Sequence, residues 1–124
     1  MESIGLVIVS HSKHIAEGVV ELISKVAKDV PTTYVGGTEG GGIRTSFDQV
    51  DRVVSENPAD TLLAFFDLGS AKMNLKMVTD FSDKSIIINR VPIVEGAYNA
   101  AALLQAGAEL SVIQTQLAEL EINK

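Results

Sequence analysis

A chain of 124 residues, 46% hydrophobic and 21% charged, has apolar content for one buried core and too much of it for disorder. Its net charge of −6 argues against nucleic acid as a partner, and the absence of cysteine excludes disulfides and thiolate chemistry. No apolar stretch reaches the length of a membrane span and no basic, cleavable leader precedes the first strand, so a cytoplasmic, single-domain protein over residues 1–124 is expected.

Ile4, Leu6, Val7, Ile8 and Val9 predict a buried first strand that stops on Ser10, His11 and Ser12. Ser12 is placed to cap a helix carrying Ile15, Val19, Leu22, Ile23 and Val26 at helical spacing. Thr32 to Gly36 reads as a second strand, and the glycine-rich run Gly36 to Gly42 as a mobile loop. Thr45 or Ser46 then caps a helix bearing Phe47, Val50, Val53 and Val54. The segment TLLAFFDL from Thr61 lacks alternation, which predicts a third strand buried on both faces. A helix from Ser70 to Phe81 follows, with Met73 and Met77 expected in the core beside Leu75 and Val78. Ser85 to Arg90 predicts a fourth strand. After Pro92 comes an alanine-rich helix ended by Gly107, then a last amphipathic helix from Glu109 to Ile122.

This alternation predicts an α/β fold: three α/β/α layers around a mostly parallel, doubly wound sheet of about four strands. With strand one between strands two and three, the ligand crevice lies between the carboxyl ends of strands one and three. That edge gathers SHS at residues 10–12, the glycine loop through Thr45, DLGS at residues 67–70, and NRVPIVEG at residues 89–96. Two helix N-termini point their amides there, which suits an anion, and a histidine beside them suggests a phosphoryl group on imidazole. His11 is the candidate nucleophile, and Asp67 the acceptor that fixes its tautomer and stabilises the charge developing on the ring. Ser12, Thr45, Gly69 and Ser70 are the candidate phosphoryl-binding groups. Plainer readings exist: His11 as a strand-end residue bonded to backbone, and Asp67 as a helix cap. His14, one helical turn after His11, has no third ligand marked for a metal. No P-loop or dinucleotide fingerprint occurs, and no cofactor is indicated.

The motifs VIVSHS, DLGSAKMN and PIVEGAYNAA together resemble the phosphotransferase subunits of bacterial dihydroxyacetone kinases, whose relevant domain is similar to mannose-family IIA domains of the sugar phosphotransferase system. The resemblance runs over essentially the whole chain. It implies that a phosphoryl group passes from the phosphocarrier protein HPr to His11, with Asp67 as its partner, and on to ADP held by the kinase's nucleotide-binding subunit. It also implies a homodimer, and, with no HPr-like stretch in these residues, a separate donor protein. Thr45 occupies the family's Gly-Thr position, and Arg44 stands where the family commonly has glycine; its guanidinium could contact phosphate or a partner carboxylate. Three rivals remain. A IIA domain of a mannose-family sugar system is the nearest, although such domains usually carry a longer Gly-Gly-Ser turn after the aspartate, and the DLGSA and P-x-V-E-G forms look like the dihydroxyacetone branch. A histidine phosphatase or phosphomutase needs arginines around its histidine, and none adjoins His11; a flavodoxin-like regulatory module would lack the chemistry altogether.

Overall fold

The computed structural model describes residues 3–38 and 40–124; Glu39, within the expected glycine loop, lies outside the described residues. Nine elements follow in order: β1 (Ile4–Ser10), α1 (Lys13–Val26), β2 (Thr32–Gly36), α2 (Phe47–Glu56), β3 (Thr61–Phe66), α3 (Gly69–Phe81), β4 (Ser85–Asn89), α4 (Ile93–Gln105) and α5 (Leu110–Ala118). The four strands form one parallel sheet in the order β2-β1-β3-β4. β1 is therefore central, as expected, and the chain reverses direction across it, leaving the crevice between β1 and β3.

Side-chain alternation along the two central strands builds a core on each face. Leu6 and Ile8 of β1 and Leu63 and Phe65 of β3 pack with α1, α4 and α5. Val7 and Val9, with Leu62, Ala64 and Phe66, pack with α2 and α3. Every residue of β3 is buried, the pattern of a strand covered on both sides. Gly96, Ala97, Ala100 and Ala101 are the buried residues of α4; their small size lets the helix lie close to Phe65 and Val91.

Ser46, rather than Thr45, caps α2 by accepting from the Gln49 amide at 3.3 Å. Two expectations are corrected. Met73 and Met77 are not core residues: they are 66% and 44% exposed. The buried stripe of α3 runs through Ala71, Leu75 and Val78, so both methionines fall on its outer side. The last helix stops at Ala118, short of Ile122, because the Ile122 amide leaves the helical ladder to bond the Arg90 carbonyl at 2.8 Å. That turn returns the chain to the sheet edge, where the Lys124 ammonium donates to the Phe66 carbonyl and lies 4.4 Å from the Phe66 ring centre. Among the described residues, no helix is long and apolar enough to cross a membrane.

Candidate phosphoryl-transfer site

The register of the two central strands sets the site. Val9 pairs with Phe66, so the residues that follow, Ser10 and His11 on one side and Asp67 on the other, leave the sheet together. Asp67 collects four donors. Its Oδ2 accepts from the Ser10 hydroxyl at 2.7 Å and the His11 amide at 3.0 Å. Its Oδ1 accepts from His11 Nδ1 at 2.9 Å and the Leu68 amide at 2.7 Å. Burial works to raise the Asp67 pKa, but the hydrogen bonds from Ser10, His11 and Leu68 outweigh it and hold the carboxyl below its ordinary range.

A carboxylate accepts only, so His11 Nδ1 carries a proton, and in the neutral tautomer that this selects Nε2 keeps its lone pair. In that tautomer Nε2 accepts from the Ser70 hydroxyl. The imidazole is thus held at both ends, with Nε2 turned away from Asp67. Only 12% of each side chain, His11 and Asp67, is exposed. Asp67 does not cap α3, whose N-cap residue is Leu68 with no side-chain cap bond, so the plainer reading of the aspartate is not the one observed.

Nε2 faces a shallow pocket of about 420 Å³ lined by His11, Ile43, Arg44, Thr45, Ser70, Met73 and Asn74. The Thr45 hydroxyl accepts from Asn74 Nδ2 at 2.8 Å, which leaves its own proton free to point at a ligand. Thr45 and Ser70 therefore meet His11 in one wall. Ser12 and Gly69 do not line this pocket: the Ser12 hydroxyl is engaged at the start of α1, accepting from the Ile15 amide at 3.4 Å. Gly69 opens α3, where the Ala71 amide already donates to the Leu68 carbonyl at 3.0 Å.

Sequence reading missed three contributors. Ser10 is buried, 1% exposed, and braces Asp67 while accepting from the Ser12 amide at 3.0 Å. Asn74 orients Thr45; its position four residues after Ser70, on the same helix face, was the available signal. Lys124 supports the end of β3, donating to the Asp67 carbonyl at 3.4 Å as well as to that of Phe66. Among the described residues, no group of three His, Cys, Asp or Glu side chains could hold a metal ion.

The profile described as PTS system fructose IIA component, EIIA-man, matches residues 5–114. The chain is 53% identical over 120 residues to the PTS-dependent dihydroxyacetone kinase phosphotransferase subunit DhaM of Lactococcus lactis, covering 97% of this chain and 98% of that one. It is 48% identical over 118 residues to the phosphoryl donor subunit DhaM of PEP-dependent dihydroxyacetone kinase 1 of Listeria innocua, covering 95% of each. A crystallised protein of unknown function shares the fold, with a TM-score of 0.84 at 24% identity over 98% of this chain and 97% of that one. With the profile spanning most of the sequence and both relatives matched almost end to end, this chain belongs to the EIIA-man family of PTS system fructose IIA components.

Proposed function

We propose that the protein is the phosphoryl donor subunit of a PTS-dependent dihydroxyacetone kinase, a homodimer that carries the group on His11. The orientation of His11 carries this reading: Nδ1 is tied to Asp67 and Nε2 is presented to the pocket. The names of the two DhaM relatives support dihydroxyacetone as the final acceptor.

In the loading step, His11 Nε2 attacks the phosphoryl group on the histidine of HPr. The donor's N–P bond breaks, the new one forms, and the positive charge appearing on the His11 ring is met by Asp67. Ser70 releases Nε2 and donates to a phosphoryl oxygen, as does Thr45, with the amides at the start of α3 adding their dipole. In the discharge step, an oxygen of the terminal phosphate of ADP attacks phosphorus. The N–P electron pair returns to Nε2, and the kinase subunit holds ATP. No net proton transfer is needed, because Nδ1 keeps its proton throughout.

Incubation with phosphoenolpyruvate, enzyme I and HPr tests this. His11→Ala should abolish labelling, whereas His14→Ala, an exposed residue of the first turn of α1, should leave it largely intact. The label should be lost in mild acid and kept in alkali, since the protonated phosphohistidine ring departs as neutral imidazole, a good leaving group; a serine or threonine ester would survive acid. Full labelling of His11→Ala, or an acid-stable label, would remove the assignment. The family description favours a second reading, a IIA component of a sugar system, which predicts no discharge to ADP on a kinase subunit.

A further inference from the structure

Phosphoryl transfer from His11 to a nucleotide brings together two anions: the phosphoryl group on Nε2 and the diphosphate that attacks it. The groups already described around Nε2 are neutral hydroxyls, an amide and backbone N–H dipoles, with the carboxylate of Asp67 behind the ring. Arg44 differs from all of these. It lines the same pocket, and its exposed guanidinium has no ion pair or hydrogen bond among the described residues. Neighbouring cations are otherwise engaged: Lys13 lies 3.9 Å from Glu17, Lys72 donates to the Lys124 carbonyl, and Lys124 is turned to the carbonyls of Phe66 and Asp67. In a chain of net charge −6, an unpaired arginine in the wall of an anion pocket is available to an acidic partner from outside.

We infer that Arg44 is a specificity-determining residue for the nucleotide half-reaction: its guanidinium binds the diphosphate of the acceptor nucleotide and holds it against the phosphoryl group on His11. The inference rests on the proposed phosphoryl-carrier reading. Two features fit it. The Arg44 amide donates to the His11 carbonyl at 3.0 Å, so the backbone is tethered beside the nucleophile while the long side chain stays free to reach outward. A planar guanidinium can also bridge oxygens of two phosphates, which a hydroxyl cannot. During loading only the phosphoryl group itself enters the pocket. During discharge the additional phosphates must approach, and the positive charge matters most then.

The test measures the two half-reactions separately, using radiolabelled phosphoenolpyruvate with enzyme I and HPr for loading, and the ADP-loaded kinase subunit for discharge. Arg44→Gln keeps the amide tether and removes the charge. Discharge should slow by about 10- to 100-fold, the range of one lost charge-assisted hydrogen bond, and loading by less than about 3-fold. Arg44→Lys should recover part of the discharge rate, having the charge without the fork. Raised salt should slow wild-type discharge more than that of Arg44→Gln. Unchanged discharge, or equal slowing of both steps, would overturn the inference while leaving His11 as the carrier. A wild-type protein that takes up no label, or never passes it to ADP, would instead show that the carrier reading has failed, and the inference with it.

Discussion

At the scale of single residues, the site is organised around one carboxylate that accepts from four donors. Asparagine in place of Asp67 would exchange one acceptor oxygen for an NH₂ group and leave two of Ser10 Oγ, His11 N, His11 Nδ1 and Leu68 N without an acceptor. It would also remove the negative charge that, on the proposed mechanism, stabilises a phosphorylated ring. Asp67→Asn should therefore slow loading by roughly 10- to 100-fold, the value of one hydrogen bond to a charged group, with the fold retained. Near-normal transfer rates would reduce Asp67 to a structural residue. The same carboxylate makes stability depend on pH. Its folded pKa is depressed, so between the folded and unfolded values the unfolded chain binds more protons. Its contribution is complete above the ordinary carboxylate pKa and is lost as pH falls through the folded value. Urea midpoints of wild type and Asp67→Asn, followed from about pH 6 down to about pH 2, should converge on acidification. A constant gap would contradict the depressed pKa.

At the scale of elements, the loop ends depend on how closely β2 passes the start of α1. A Cβ on Gly36 would lie 2.4 Å from the Ser12 carbonyl oxygen and 2.7 Å from the Lys13 Cα, both backbone atoms that cannot turn aside. Gly37, at φ +70°, then takes the chain through a left-handed turn, and its amide bonds the Ser10 carbonyl at 3.2 Å. Gly36→Ala should cost about 1–3 kcal/mol in urea unfolding and slow loading, because the displaced segment carries His11. Gly18 offers the contrast. It lies within α1 with open space around its Cα, and Gly18→Ala should stabilise the protein by about 0.5–1 kcal/mol. A neutral Gly36→Ala would show that the β2–α1 approach is slack.

At the scale of the whole molecule, the sheet separates two cores that share strands but no helices. Ile113 of α5 and Leu75 of α3 are each fully buried, on opposite faces. Truncating either to alanine should cost about 2–5 kcal/mol, and the double variant should cost the sum to within about 0.5 kcal/mol. Denaturant midpoints and slopes would check this, and strong non-additivity would mean that the faces are coupled through the sheet. Because α3 belongs to one face and α1 to the other, the proposed phosphoryl site is assembled from helices seated on different cores. Both faces must be intact for His11 and Ser70 to meet.

Much of this architecture was legible in the chain itself. β-branched apolar runs broken by polar or glycine residues marked all four strands, with β2 read to its ends at Thr32 and Gly36, because strand propensity and turn chemistry act locally. The polar residues where β1 and β3 leave the core singled out His11 and Asp67, since a parallel sheet brings its carboxyl ends to one edge. Ser12 was legible as the cap of α1 because that bond is local in the chain. The partners of the other hydroxyls were not: Ser10 and Ser70 are equivalent in type, and only the β1–β3 register turns Ser10 to Asp67 and Ser70 to Nε2. The exposure of Met73 and Met77 likewise depended on which stripe of α3 the sheet covers, and the seat of Lys124 on where α5 lets go. Periodicity along one element limits which face is buried. The partner a side chain meets is set by register and crossing between elements distant in sequence, and those follow from the packing of both cores at once.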